Sequence, residues 1–206
     1  MACHPDRNGD EPIRIVVVDD HAAVRAGLER ILRRESGFDV VAALDDGREL
    51  VDVVARAAAD VVVLDYELAR GDGLALCQRL KQREPSPRVL IYSVHAGPSL
   101  LVPAAIAQAD AVVSKGDDVH ALVDAIHRIA AGERLLAPPS PDLLHAVAAR
   151  VEPEDAPVVP MLVDGATVLE IAAALRLTER EALRRARRIV GRLHGRRRPA
   201  HGEQPA

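Results

Sequence analysis

Five residues of this 206-residue sequence are of types that could together move a phosphoryl group: Asp19, Asp20, Asp65, Ser93 and Lys115. Each stands at the end of a short, β-rich apolar run. The run 13–18 leads into Asp19-Asp20-His21, 60–64 into Asp65, 88–92 into Ser93, and 110–114 ends in Ser114 before Lys115. Crowded carboxylates raise one another's pKa or require a cation, and an all-oxygen set without His or Cys ligands suits Mg²⁺. A carboxylate beside Mg²⁺, a hydroxyl donor and an ammonium can attack phosphorus, because metal and lysine neutralise the charge on the transferring oxygens. The product would be an aspartyl phosphate. A single Asp after a strand is an ordinary turn residue or helix cap. It is the five together, at the ends of one repeating pattern, that point to chemistry.

The elements needed to gather them are legible. Counting 38–44, five apolar runs alternate with helix-period segments, and they are continuous, as in strands covered on both faces. This predicts an α/β fold with a doubly wound, five-stranded parallel sheet, whose strand carboxyl ends form the ligand edge. Val24, Leu28, Ile31 and Leu32 share a face of the first helix, and Val119, Leu122, Ile126 and Ile129 one of the last. Asp117 and Gly132 are read as that last helix's caps. The fourth crossover opens at Gly97-Pro98 and contains Pro103, which costs about 3 kcal/mol inside a helix, so a short, late-starting or kinked helix is expected there.

This first domain is assigned to 12–134. A Pro-rich linker follows at 135–157, with a short helix at 142–150. Residues 158–198 form a small all-α domain, and 199–206 a disordered tail. In the small domain Thr167 precedes Val168, Leu169, Ile171, Ala172 and Leu175. Thr178-Glu179-Arg180-Glu181 is a capping box before Leu183, Ala186, Ile189, Val190 and Leu193. With Arg176-Leu177 as the turn, this is a helix-turn-helix pattern. Residues 1–150 carry 17 basic and 23 acidic side chains, whereas 158–198 carry ten Arg against Asp164, Glu170, Glu179 and Glu181. A basic end on an acidic body favours an anionic partner.

Composition excludes other classes. Cys3 and Cys77 are too few for a disulfide scaffold or a Cys-rich zinc site, and a reducing, cytoplasmic setting is expected. Cys77 and the scattered histidines read as packing or surface residues. One Phe, two Tyr and no Trp leave an aliphatic core. No apolar run approaches the roughly 18 residues of a membrane span, and the opening residues lack a signal peptide's apolar segment. The expectation is a soluble, intracellular protein with no membrane partner.

With Val18-Asp19-Asp20-His21, Asp65, Ser93 and Lys115 in place, residues 13–132 resemble a response-regulator receiver domain, a flavodoxin/CheY-like fold, and the opening is similar to that of the NarL/FixJ subfamily. The resemblance implies that Asp65 accepts phosphate from a sensor histidine kinase. It further implies that Asp20, Asp65 and the Glu67 carbonyl bind Mg²⁺ directly, and Asp19 through water. Ser93 would be the switch hydroxyl and Lys115 the partner of the phosphoryl group. Glu67 and His95 occupy the two positions that in this family tune phosphoryl lifetime. Two departures stand out. Leu68-Ala69-Arg70 replaces the usual Met-Pro-Gly, with Gly71-Asp72-Gly73 restoring the turn, and Val112 replaces the usual swinging Tyr or Phe.

Residues 151–193 resemble a LuxR-type DNA-binding domain, best at Met161-Leu162-Val163-Asp164-Gly165 and Glu170-Ile171-Ala172-Ala173-Ala174-Leu175. This output domain is atypical and eroded. Val151-Glu152-Pro153-Glu154-Asp155 stands for Leu-Thr-Pro-Arg-Glu, Pro157 and Pro160 fall within the family's first helix, and Glu181-Ala182-Leu183-Arg184-Arg185 stands for Thr-Val-Lys-x-His. The implied DNA contacts are Thr178, Arg180, Arg184, Arg185, Arg187 and Arg188, extended by Arg196-Arg197-Arg198. The implied protein is a two-component response regulator that binds double-stranded DNA as a homodimer when phosphorylated. Its only catalysis would be its own phosphoryl transfer and dephosphorylation. The alternative is a receiver protein signalling through protein–protein interaction, with a degenerate C-terminal domain that does not bind DNA. A haloacid-dehalogenase-type hydrolase would want a second Asp where Glu67 stands.

Overall fold

The computed structural model describes residues 11–69 and 71–194. In chain order the first domain runs β1 (Ile13–Val18), α1 (Ala22–Leu32), β2 (Phe38–Leu44), α2 (Leu50–Arg56), β3 (Val61–Asp65), β4 (Glu67–Leu68), β5 (Gly71–Asp72), α3 (Gly73–Lys81), β6 (Arg88–Ser93), α4 (Pro98–Ile106), β7 (Ala111–Ser114) and α5 (Val119–Ala130). The main sheet has strand order β2-β1-β3-β6-β7, and every pair is parallel. The five expected strands are all present, within a residue of their expected ends.

Alternate strand residues face opposite sides of the sheet. Ile15, Val17, Val61, Val63 and Leu90 pack with Leu28 and Leu32 of α1 and Leu122, Ile126 and Ile129 of α5. Val16, Val18, Val62, Leu64 and Ile91 pack with Leu50, Leu74, Leu80, Leu100 and Val102 on the other side. Branched aliphatics fill both layers, as the near absence of aromatic residues requires.

The structure corrects two local expectations and bears out a third. Asp118, not Asp117, caps α5, accepting the His120 amide at 2.9 Å, while Asp117 accepts the Ser114 amide at 3.2 Å. α4 is short, as expected, but not late-starting. Pro98 is its first residue, where a missing N–H costs nothing. Pro103 removes one bond inside it, in a helix whose residues 102–106 are all buried. Finally, β4 and β5 form a small antiparallel hairpin where only a turn was read.

The C-terminal half contains α6 (Pro141–Ala148), α7 (Val158–Val163), α8 (Val168–Leu175) and α9 (Glu179–His194). Ser140 caps α6. Pro157 precedes α7 and Pro160 lies in its first turn, so neither removes a bond that the helix would make. Thr167 and Glu170 form a capping box on α8, which ends at Arg176 with φ +54° before the short turn into α9. The Thr178 hydroxyl accepts the Glu181 amide at 3.2 Å.

Residues 135–157, expected as a linker, are packed. The Leu135 and Leu136 amides bond the Asp110 carbonyl at 2.8 and 3.0 Å, Val147 and Val151 are buried, and Asp155 is fully buried. α4 lies between the sheet and helices α6, α7 and α9, so one hydrophobic core runs from Val62 and Ile91 through Leu100 and Val102 to Val158, Val159, Ile171 and Ile189. Among the described residues no helix is long and apolar enough to cross a membrane. Arg196-Arg197-Arg198 and the tail 199–206 lie outside the described residues.

Candidate functional site

The parallel register of β1, β3, β6 and β7 brings the predicted groups to one edge. Asp65 ends β3 opposite Tyr92, and Ser93 ends β6 opposite Ser114. Asp19, Asp65 and Ser93 are buried. The Lys115 ammonium lies 2.7 Å from Asp19 Oδ2 and 2.8 Å from Asp65 Oδ2, bridging the two carboxylates. It also stands 5.9 Å from the centre of the Tyr92 ring, within cation–π range.

Each group is held by backbone. The Glu67 amide donates to Asp65 Oδ1 at 3.3 Å, and the His95 amide to Ser93 Oγ at 3.0 Å, leaving the hydroxyl proton of Ser93 for another acceptor. The His21 amide donates to Asp19 Oδ1 at 2.8 Å, and Arg25 to the Asp19 carbonyl at 2.6 Å. Asp20 Oδ2 accepts the Ala69 amide at 2.6 Å, a bond that a proline at that position could not make.

The electrostatics follow. Burial pushes the Asp65 pKa above its ordinary value; the hydrogen bond and charge of Lys115 oppose the rise, the Asp19 charge adds to it, and the Glu67 amide opposes it. For Lys115, burial alone would lower the pKa, but its bonds to Asp19 and Asp65 outweigh that and raise it. The ammonium is therefore firmly charged and placed where negative charge would arrive.

Asp19, Asp20, His21 and Asp65 each offer a ligand atom within 4.8 Å of the others. His21 was not read as a member of the set. Its Nδ1 is 2.7 Å from Asp20 Oδ1, yet that buried oxygen makes no hydrogen bond of sound geometry. A buried carboxylate oxygen without a hydrogen bond, beside two further carboxylates, fits a hard divalent cation.

Two loop residues shape the site beyond what the turn pattern predicts. Gly73 packs so tightly that a Cβ there would lie 2.2 Å from the Asp65 carbonyl, and Ala69 supplies the amide for Asp20. The Gly71-Asp72-Gly73 run was the available signal. Gly71 takes φ +144°, and the Asp72 carboxylate caps α3 at the Leu74 and Ala75 amides. Glu67 and His95 face each other across 3.8 Å, both about half exposed. Cys77 is a packing residue. Its thiol donates to the Ala107 carbonyl at 3.2 Å, and burial pushes its pKa up to about 12.

The expected DNA contacts divide into two flanks of α9. Arg180, Arg184 and Arg187 are exposed together with Leu183 and Thr178. Arg184 pairs with Glu181 on its own helix. Arg185 and Arg188 instead turn toward the segment preceding α7. Arg185 bonds Glu181 at 3.1 Å and the Glu154 carbonyl at 2.5 Å, and Arg188 meets both Asp155 oxygens at 2.6 Å and Glu154 at 2.5 Å. Arg192 pairs with Glu152 on the same side. The amino-acid pattern does not distinguish these flanks, because the partners at 152–155 stand more than thirty residues away.

Residues 15–127 match the family described as response regulator receiver domain. The transcriptional regulatory protein DegU of Brevibacillus brevis is 33% identical over 129 residues, 63% of this chain and 55% of that protein. The probable transcriptional regulatory protein NarL of Mycobacterium tuberculosis is 30% identical over 152 residues, 74% of this chain and 69% of that protein. Thus the chain spans between about half and two thirds of the length of these two relatives. A LuxR-family two-component response regulator from Aurantimonas sp. SI85-9A1 superposes with a TM-score of 0.58 at 34% identity, over 68% of this chain and 97% of that one. A receiver match over more than half the chain, on a sheet edge carrying Asp19, Asp20, Asp65, Ser93 and Lys115, makes this protein a response regulator of the NarL/LuxR type.

Proposed function

We propose that Asp65 accepts a phosphoryl group from a sensor histidine kinase in the cytoplasm, and that α9 carries the output to double-stranded DNA, as a homodimer when phosphorylated. The observation that supports it best is Lys115 Nζ, held at 2.8 Å from Asp65 and 2.7 Å from Asp19. A carboxylate oxygen of Asp65 forms the bond to phosphorus as the bond to the kinase imidazole nitrogen breaks. Lys115 balances the charge that Asp65 gains, and the Ser93 hydroxyl is free to donate to a phosphoryl oxygen. Asp20, Asp65 and the Glu67 carbonyl would hold Mg²⁺ directly and Asp19 through water; the ion would supply charge neutralisation for the transferring oxygens. The chain's catalysis is confined to gaining and losing this group.

The test is labelling with acetyl phosphate. Wild type should take up one acid-stable, hydroxylamine-labile phosphoryl group that Asp65→Asn lacks, and equal labelling of both would remove Asp65 from the mechanism.

For output, the exposed Arg180, Arg184 and Arg187 support duplex binding, since guanidinium groups spaced along a helix suit phosphates and guanine edges. Recovery of an inverted repeat from sheared genomic DNA is the expected result. A second reading, output through a protein partner, is favoured by two exposed leucines, Leu169 on α8 and Leu183 where the family carries lysine. Failure to enrich any sequence, with the protein folded, would favour it.

A further inference from the structure

α4 is the most apolar element on the receiver surface, and it is covered on both sides. Toward the sheet it joins Leu64 and Ile91; away from the sheet it meets α6, α7 and α9. Leu100, Val102, Ala104, Ala105 and Ile106 of α4 are all buried, and so are Val158 and Val159 of α7. The seam also has a polar stitch where α4 ends. Gln108 Nε2 donates to the Leu162 carbonyl at 3.4 Å, and the Gln108 side chain lies against Gly165. At the far side of α7, Asp155 is fully buried and grips Arg188 of α9 through both carboxylate oxygens. Opening this seam would expose an apolar helix face, while the Asp155–Arg188 pair, which ties α9 to the segment before α7, stays within the helical unit.

The seam hides only one flank of α9. Arg180, Leu183, Arg184 and Arg187 recur every three or four residues on the opposite side, and all four are exposed while the seam is shut. Among the described residues, neither Arg180 nor Arg187 has an ion-pair partner. Access to this stripe therefore requires no separation of receiver from helical unit.

We propose that the chain engages DNA as one closed body, offering the Arg180, Leu183, Arg184 and Arg187 stripe with the α4 seam intact and without prior phosphorylation. This rests on the reading of α9 as a DNA-binding helix and names its regulation. Phosphorylation at Asp65 then acts through receiver faces other than α4, for instance by bringing two copies together, rather than by releasing α9. Arg185, Arg188 and Arg192 are structural.

Two measurements on the full chain test this. The first is hydrogen exchange in three states: free, loaded with Mg²⁺ and beryllofluoride, and bound to sheared duplex DNA at low salt. The amides of 100–109 and 158–163 should keep their protection to within about twofold in all three, while 180–187 gain protection with DNA. A rise of about tenfold or more in exchange at 100–109, on loading or on DNA, would overturn the closed body. Silence of α9 toward DNA would instead defeat the DNA reading, and the inference with it. The second uses the two tyrosines, Tyr66 and Tyr92, both in the receiver. Urea unfolding followed by tyrosine fluorescence and by far-ultraviolet dichroism should give one coincident transition, and Val159→Ala should shift both to lower urea equally. A shift confined to the dichroism signal would mean that the receiver unfolds independently, and would likewise overturn the proposal.

Discussion

At the carboxyl edge of the sheet, charge is drawn inward. Asp19 and Asp65 are buried and share a single ammonium, and almost every polar atom has a backbone donor or a side-chain partner. Along α9 charge is split. Arg185, Arg188 and Arg192 are tied to Glu152, Glu154 and Asp155, and the opposite flank faces solvent. The first arrangement is imposed by strand ends, which converge whatever surrounds them. The second depends on which side of a helix the rest of the protein covers. One lysine thus has its role fixed by topology, whereas neighbouring arginines on a single helix differ in role through their acidic partners.

The sharpest way to break this comparison is to exchange the two flanks. Arg188→Ala removes the partner of a fully buried carboxylate, Asp155, and should lower the urea midpoint clearly. Arg187→Ala removes an exposed side chain and should stay within about 0.5 kcal/mol of wild type. Their effects on DNA should be reversed in character. Arg187→Ala should reduce the slope of log affinity against log salt by about 0.9, the loss of one phosphate contact, while Arg188→Ala leaves the slope of the folded fraction unchanged. Urea denaturation and a salt titration of binding supply both readouts. Equal stability of the two variants would show that the flanks are not distinct.

Within the receiver, the counterpart of Arg188 is Gly73. A methyl group there would press on the carbonyl of Asp65 at 2.2 Å, and backbone offers no flexible end to move aside. Gly73→Ala should cost about 2 kcal/mol as an overpacked contact. It should also slow acetyl phosphate labelling by displacing Asp65 from Lys115. Unaltered labelling in a folded Gly73→Ala protein would mean that the loop, rather than the strand end, takes up the strain.

These cases show what the amino-acid pattern made legible. Continuous Val, Leu and Ile runs located all five strands, and parallel topology then placed Asp19, Asp65, Ser93 and Lys115 without further information. Gly73 was visible only as a turn residue, because its role depends on a close approach that has no local signature. The 135–157 stretch read as a linker because its prolines and acids are typical of one. Its packing rests on partners such as Arg188, 33 residues beyond Asp155, and on the outer face of α4. The apolarity of α4 all round was the one local sign that something covers it.

A smaller effect is expected at the mouth of the site, where Glu67 and His95 stand 3.8 Å apart and half exposed. Their backbone amides hold Asp65 and Ser93, so both side chains branch from the rim of the site. Glu67→Asn removes the charge there, and the decay of the labelled protein should change in rate. An unchanged half-life would reduce the pair to surface residues, and would show that the edge's control of chemistry ends at its buried groups.

The smallest effect belongs to Asp65 itself, in its stability rather than its chemistry. Burial raises its pKa in the folded protein above the ordinary 3.8, so between those values the native state binds a proton that the unfolded chain has released. Stability must then fall as pH rises through that window, and the favourable contribution is complete only below it. Asp65→Asn has no such proton. Measured without Mg²⁺, the urea midpoint of the variant should therefore gain on that of wild type from acid toward neutral pH. A difference independent of pH would mean that Lys115 fully offsets the cost of burying the Asp65 charge. In that event the edge would hold its charges without strain, and the contrast with the paired flank of α9 would lie in geometry alone.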